Sequence, residues 1–216
     1  MSGPAADFRL LLVRHGETDA NREFRMQGVS DMSLNEEGRR QLACTAERLS
    51  GEEIDAIYAS DLTRAIESAE PIAARHGLTV RTDPRLREQN LGDWEGDVWF
   101  DLPEIYGQAA LDSFMGDMDY GPPGGETKRS VLERFREAIL EIGARHAGET
   151  VCVVTHGGPL MTFAYDAMRI PFGKENRFYA ANGSVSEFER WDGFWRLVTL
   201  NETHFLGARP EPDPQA

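Results

Sequence analysis

Phe8-Arg9-Leu10-Leu11-Leu12-Val13-Arg14-His15-Gly16-Glu17-Thr18 is the stretch from which the fold can be read. Its apolar run is long enough for a buried strand and too short for most helices. It stops at a permanent cation, an imidazole and a glycine. In an open α/β sheet, ligands bind beyond the carboxyl ends of the strands. An arginine placed there can grip an anion with its planar fork of donors, and a neutral histidine beside it can attack phosphorus. A second run, Val151-Cys152-Val153-Val154-Thr155, leads in the same way into His156-Gly157-Gly158.

Strand-like and helix-like segments alternate around these two runs, the pattern of a sheet flanked by helices. The first strand is expected over 8–13. Ser33-Leu34-Asn35-Glu36 has the spacing of a capping box and opens a helix with Leu42, Ala46 and Leu49 on one face, ended by Gly51. A short strand over 56–59 precedes a helix that Ser60 or Asp61 can cap and that closes at His76-Gly77. A third strand follows over 78–81. From Gly92 to Gly125 no period is evident, yet the stretch holds Trp94, Trp99, Phe100, Tyr106, Phe114 and Tyr120. Irregular, aromatic-rich insertions of this length serve as lids or specificity regions. Thr127 caps a helix with Val131, Phe135, Ala138 and Ile142 on one face, then come a strand over 151–155 and a helix near 159–168. Asp192-Gly193, between two further strand-like runs, signals a two-residue hairpin turn. The expected fold is a three-layer α/β/α sandwich with a mostly parallel, mixed sheet. It forms a single domain over 1–206, with a lid insertion at about 92–125. Residues 207–216, with three prolines, read as a disordered tail.

Composition narrows the function. At 216 residues the chain can bury a substantial core. No apolar stretch approaches the length that spans a bilayer, and the first residues lack the pattern of a signal peptide. Two cysteines cannot build a disulfide framework, which implies a reducing, cytoplasmic setting. Cys44 and Cys152 read as small buried hydrophobes. A formal net charge of −14 repels nucleic acid and anionic lipid. That argues against large polyanionic partners, while a small anion can still be held by a few converging arginines.

Four segments carry reactive groups at the ends of elements: Arg14-His15-Gly16, Ser60 to Ala65 with Arg64, Glu88 with Trp94-Glu95-Gly96, and His156-Gly157-Gly158. Joined to Asn21, Gly28, the ordered trio Leu34, Gly38 and Gln41, and Gly124-Gly125-Glu126-Thr127, they resemble the histidine phosphatase superfamily, the phosphoglycerate mutase-like family. The resemblance runs from about residue 8 to 200. It implies that His15 is the nucleophile and forms a phosphohistidine. It further implies that Arg14 and Arg64 hold the nonbridging oxygens, that His156 donates to the phosphoryl group, and that Glu88 is the general acid and base. Physical need agrees for His15, which must be neutral to attack and which neighbouring cations keep from protonating. Each residue has a plainer reading when taken alone: a packed histidine, a surface ion pair, a helix cap, a solvated loop carboxylate. Asp93 and Glu95 rival Glu88 on spacing; the family pattern selects Glu88. Asn21, Gln27, Gly28 and Gly157 are expected at the substrate, with loop structure as the alternative for the first three. His76, His146 and His204 read as structural or exposed.

Two histidines also raise the question of a metal. A metal site wants histidines and carboxylates with an open position, whereas the neighbours here are arginines, so no metal and no cofactor is expected. The glycines lack the spacing of a Walker loop or a dinucleotide fingerprint. From Gln89 to Thr127 there is no lysine or arginine. The lid is therefore expected to lack an anion-binding cation, and its aromatic content suggests an uncharged leaving group. That favours a metal-independent phosphatase for small phosphomonoesters over a cofactor-dependent phosphoglycerate mutase, which must hold a carboxylate. A catalytically silent binding module is the remote third reading, because all five reactive groups are present. Oligomeric state is not legible.

Overall fold

The structure, a computed structural model, describes residues 7–173 and 178–207. Apart from Gly207, the expected tail lies outside the described residues. Strand β1 (Phe8–Arg14) sends Phe8, Leu10 and Leu12 into one apolar cluster and Leu11 and Val13 into another. A strand buried on both faces reads as a continuous apolar run rather than an alternating one, which is the pattern in the sequence. After the short helix α1 (Asp19–Arg22) comes α2 (Glu36–Leu49), which sets Leu42, Ala46 and Leu49 against the sheet. Its cap differs from expectation: Asn35, not Ser33, is the N-cap, and its side chain accepts from the Gly38 N–H.

Strand β2 (Ala56–Ala59) leads into α3 (Thr63–His76), which ends at Gly77 with φ +65°. Neither Ser60 nor Asp61 caps α3 as a sequence neighbour would. Asp31 does so from a distant loop, accepting from the Thr63 N–H at 2.8 Å and the Thr63 hydroxyl at 2.7 Å. Asp61 instead pairs with Arg87. The third strand, β3 (Val80–Thr82), is short.

Residues 92–125 are less irregular than the sequence suggests. They hold helices α4 (Leu102–Tyr106) and α5 (Gln108–Gly116), and Trp94, Trp99, Leu102, Leu111 and Phe114 pack with Met26 and Leu91 into a cluster of their own. Both helices are too short to show a clear period, so their register comes from packing. Helix α6 (Lys128–Arg145) starts at Thr127, whose side chain accepts from the Ser130 N–H, and is followed by β4 (Thr150–Thr155) and α7 (Gly157–Met168). Strands β5 (Val185–Trp191) and β6 (Phe194–Glu202) close on Asp192 and Gly193, both with positive φ, as the expected turn requires.

The six strands form one mixed sheet in the order β3-β2-β4-β1-β5-β6, with β1 parallel to β4 and antiparallel to β5. Helices α6 and α7 supply the cluster on one face, α2 and α3 that on the other. The result is the three-layer α/β/α arrangement.

Candidate active site

The parallel register of β1 and β4 pairs Arg14 with Thr155. Beyond that pair the two chains end side by side, the His15 N–H donating to the Thr155 carbonyl at 2.9 Å. His15 and His156 therefore meet, with ring centroids 5.0 Å apart, although 141 positions separate them in the sequence. Both are buried.

His15 Nδ1 lies 2.7 Å from the Gly16 carbonyl. A carbonyl only accepts, so Nδ1 carries the hydrogen and the lone pair of the neutral ring sits on Nε2. Burial holds the His15 pKa well below its ordinary value, and the Arg64 and Arg14 charges push the same way. His156 is lowered by burial first and then by Arg64, His15, Arg134 and Arg14. Neither of its ring nitrogens has a hydrogen-bond partner among the described residues. Asn182 steadies the backbone here by donating to the His15 carbonyl, and Ser68 accepts from the Gly16 N–H.

Arg64 sits in the first turn of α3 and is fully buried. Its Nη1 and Nη2 donate to the carbonyls of Ser30 and Gly28 at 2.9 and 2.7 Å, while its Nε–H has no hydrogen-bond partner among the described residues. Burial, with a smaller push from the Arg14 charge and against the pull of Glu88, Asp31 and Glu95, brings its pKa down to about 10, which still leaves it charged at neutral pH. Buried donors without partners are uncommon in folded proteins, and the Arg64 Nε–H is one. Arg14 donates through Nη1 to the Ala180 carbonyl at 2.6 Å.

One cavity of about 80 Å³ is lined by Arg14, His15, Arg64 and Glu88. Asn21, Gln27, Gly28 and Gly157 border it as well. Asn21 and Gln27 accept from the Thr18 hydroxyl, and Thr18 with Asn21 forms the capping box of α1, so these side chains build the loop as well as facing the cavity. Gly28, at φ +52°, lends its carbonyl to Arg64. A Cβ there would strike the Glu95 carboxylate.

Glu88 is half-buried, and each carboxylate oxygen accepts a backbone hydrogen bond: Oε1 from Gln89 at 2.8 Å, Oε2 from Gly158 at 3.1 Å. Its loop is braced by Arg134, which donates to the carbonyls of Arg85, Arg87 and Glu88 and pairs with Glu126. The rival carboxylates are placed elsewhere. Glu95 accepts from the Val29, Ser30 and Leu91 N–H groups and the Ser30 hydroxyl, a clasp on the 28–30 loop. Asp93 is exposed and does not line the cavity.

Sequence reasoning missed Gln89, Phe114 and Lys128, all in the cavity wall. Lys128 is the first residue past the cation-free stretch. Its Nζ donates to the Phe114 carbonyl at 2.6 Å and lies 3.3 Å from the centre of the Phe114 ring. The insertion itself has no cation, and α6 sets one against it. Of the structural and exposed readings for His146 the structural one holds: buried, it joins the Tyr58 hydroxyl at 3.1 Å to Glu149 at 2.6 Å.

The family model described as Histidine phosphatase superfamily (branch 1) matches residues 10–203. The chain is 41% identical over 208 residues to phosphoglycerate mutase-like protein 4 of Arabidopsis thaliana, covering 91% of this chain and 89% of that protein. It is 36% identical over 171 residues to glucosyl-3-phosphoglycerate phosphatase of Mycobacterium tuberculosis, with 76% of each chain covered. Among solved structures, Bacillus stearothermophilus YhfR superposes with a TM-score of 0.86 at 35% identity, covering 92% of this chain and 99% of that one. A match of this extent, over a sheet that brings two strand-end histidines together, places this chain in the histidine phosphatase superfamily.

Proposed function

We propose that this protein is a metal-independent phosphatase that hydrolyses small phosphomonoesters through a phosphohistidine on His15. The observation that carries the reading is the His15 ring, neutral, hydrogen-bonded at Nδ1 to Gly16, and set beside His156 and the buried Arg64.

The Nε2 lone pair attacks phosphorus and forms the N–P bond while the P–O bond to the alcohol breaks. Arg14, Arg64 and His156 hold the three nonbridging oxygens, and the N–H groups at the start of α7, Gly157 included, favour the same charge. Arg64 is suited to this because two backbone carbonyls fix its outer edge. Glu88 gives its proton to the departing alkoxide. In the second half a water attacks the phosphohistidine, Glu88 takes the water proton, and phosphate leaves with Nε2 restored. Asn21, Gln27 and Gly28 shape the loop that borders the phosphate. Residues 92–125 act as a lid over a single domain spanning 1–206. The substrate is a small molecule; the strongly acidic surface argues against nucleic acid and anionic membranes. Two cysteines in the whole chain, Cys152 pushed up to about 12 by burial, support a cytoplasmic setting.

A rapid quench with a phosphomonoester should trap an acid-labile phosphoryl group on the peptide that contains His15, and His15→Ala should release no phosphate. Undiminished turnover by that variant would remove the mechanism. Phosphoglycerate mutase is the second reading, favoured by the name of the Arabidopsis relative and by Lys128 in the cavity wall. Supplying 3-phosphoglycerate with its bisphosphate and following isomer formation separates the two.

A further inference from the structure

We propose that Arg134 is a positioning residue for the general acid: paired with Glu126, it sets where the Glu88 carboxyl meets the leaving oxygen. The inference rests on the phosphatase reading and deepens it by naming what controls proton transfer at that site.

The stretch that carries Glu88 has little backbone structure of its own. Pro84–Leu86 make a single 3₁₀ turn, and residues 87–91 belong to no helix or strand. Without a ladder of backbone hydrogen bonds, the polar backbone groups here are satisfied by side chains reaching in from elsewhere. Arg134, on α6, holds three carbonyls of this stretch. Its Nη1 donates to Arg85 and Arg87 at 2.8 and 2.7 Å, and its Nη2 to Glu88 at 2.8 Å. The carbonyl of Leu86, between them, accepts from the Thr155 hydroxyl, one residue before His156. The loop is thereby tied to α6 on one side and to the end of β4 on the other.

The remaining edge of the guanidinium meets Glu126, with Nε and Nη2 each 3.0 Å from a carboxylate oxygen. These contacts occupy all five N–H donors that a guanidinium has. Glu126 in turn grips the residues just after Glu88. Its Oε2 accepts from the Asn90 N–H at 2.9 Å, its carbonyl accepts from the Gln89 side chain at 2.7 Å, and its N–H donates to the Asn90 carbonyl at 2.8 Å. Gln89 is the residue whose N–H holds Glu88 Oε1. A chain of contacts therefore runs from Arg134 through Glu126 and Gln89 to the acid itself.

Against burial, which raises a carboxyl pKa, Arg134 and the Asn90 N–H hold Glu126 below its ordinary value. The two side chains thus form an ion pair, neutral as a whole, and what it gives the site is geometry. A lysine keeps the charge but not the fork: an ammonium has three donors at one point for five acceptors.

The test measures kcat/KM on nitrophenyl phosphate and on the best alkyl substrate of a phosphomonoester panel. Arg134→Gln should lose on the order of a hundredfold on the alkyl phosphate, the cost of a small misplacement at a reacting centre, and much less on nitrophenyl phosphate. Arg134→Lys should recover little of the loss, and Glu126→Gln should show a milder form of the same pattern. Made in a Glu88→Gln background, Arg134→Gln should cost less than about threefold more, because a residue that acts through the acid has nothing left to position. Thermal melts correct each rate for the folded fraction; should Arg134→Gln fail to fold, Glu126→Gln carries the same comparison. Equal losses on both substrates, or losses that multiply in the Glu88→Gln background, overturn the proposal and leave Arg134 a support of the fold. Phosphate release that persists in His15→Ala overturns the phosphatase reading itself, whatever the Arg134 variants do.

Discussion

Glu88 and Glu95 lie seven residues apart, and what separates their roles is the company of their oxygens. Glu95 is occupied by four donors of its own fold, whereas Glu88 faces the cavity with one backbone N–H on each oxygen. Replacing Glu88 by Gln keeps the shape and removes the transferable proton. General acid catalysis matters most when the leaving alkoxide is basic. Turnover of alkyl phosphates by Glu88→Gln should fall by about a hundredfold or more, while nitrophenyl phosphate, with its good leaving group, should suffer much less. Steady-state rates on the two substrate types check this; an equal loss on both would point to another acid.

At the scale of elements, the insertion packs round a small apolar cluster of its own. Trp94, fully buried, meets the rings of Tyr106, Phe114 and Tyr120 at centroid distances of 5.4, 5.1 and 6.3 Å. Little of this cluster is shared with the two clusters on the sheet faces, so it can loosen while the sheet stays closed. Trp94→Ala removes packing on the order of 3 kcal/mol or more. Amide exchange should accelerate through α4 and α5 and stay slow in β1 and β4. Uniform acceleration across the chain would show the insertion to be part of the global unfolding unit.

For the whole molecule, two imidazoles kept neutral by burial couple stability to pH. His15 and His156 both have folded-state pKa values lowered from 6.5. The unfolded chain binds protons at these positions as the pH drops through about 6.5, and the folded chain does not. Stability rises with pH wherever the unfolded state holds more protons, so here it falls as the pH goes below 6.5. Each imidazole contributes a slope of up to about 1.4 kcal/mol per pH unit. The carboxylates with lowered pKa values, Glu52 and Glu126 among them, lose their contribution only at lower pH, below their ordinary 4.5. Urea midpoints measured between pH 7 and about 5 should fall in the unaltered protein and flatten when both histidines are replaced by Gln. An unchanged slope in the double variant would assign the effect elsewhere.

Local chemistry was enough to determine a great deal from the sequence alone. The apolar runs of β1 and β4 follow from burial on both faces, the Thr127 cap from a side-chain oxygen at a helix start, and the Asp192-Gly193 turn from two residues that tolerate positive φ. Arg14, His15, Arg64 and His156 could be singled out because each closes or opens such an element, and Glu88 by its resemblance to the family pattern. Other features were decided only by tertiary structure. Asp31 rather than Asp61 caps α3, Glu95 clasps a loop 65 residues away, and Lys128 returns a cation to a segment that contains none. These partners are remote in sequence, and no propensity or period encodes which distant carboxylate or ammonium a fold will bring near. Even the meeting of His15 with His156 depends on strand register, which the packing of two buried faces sets and the motif itself does not.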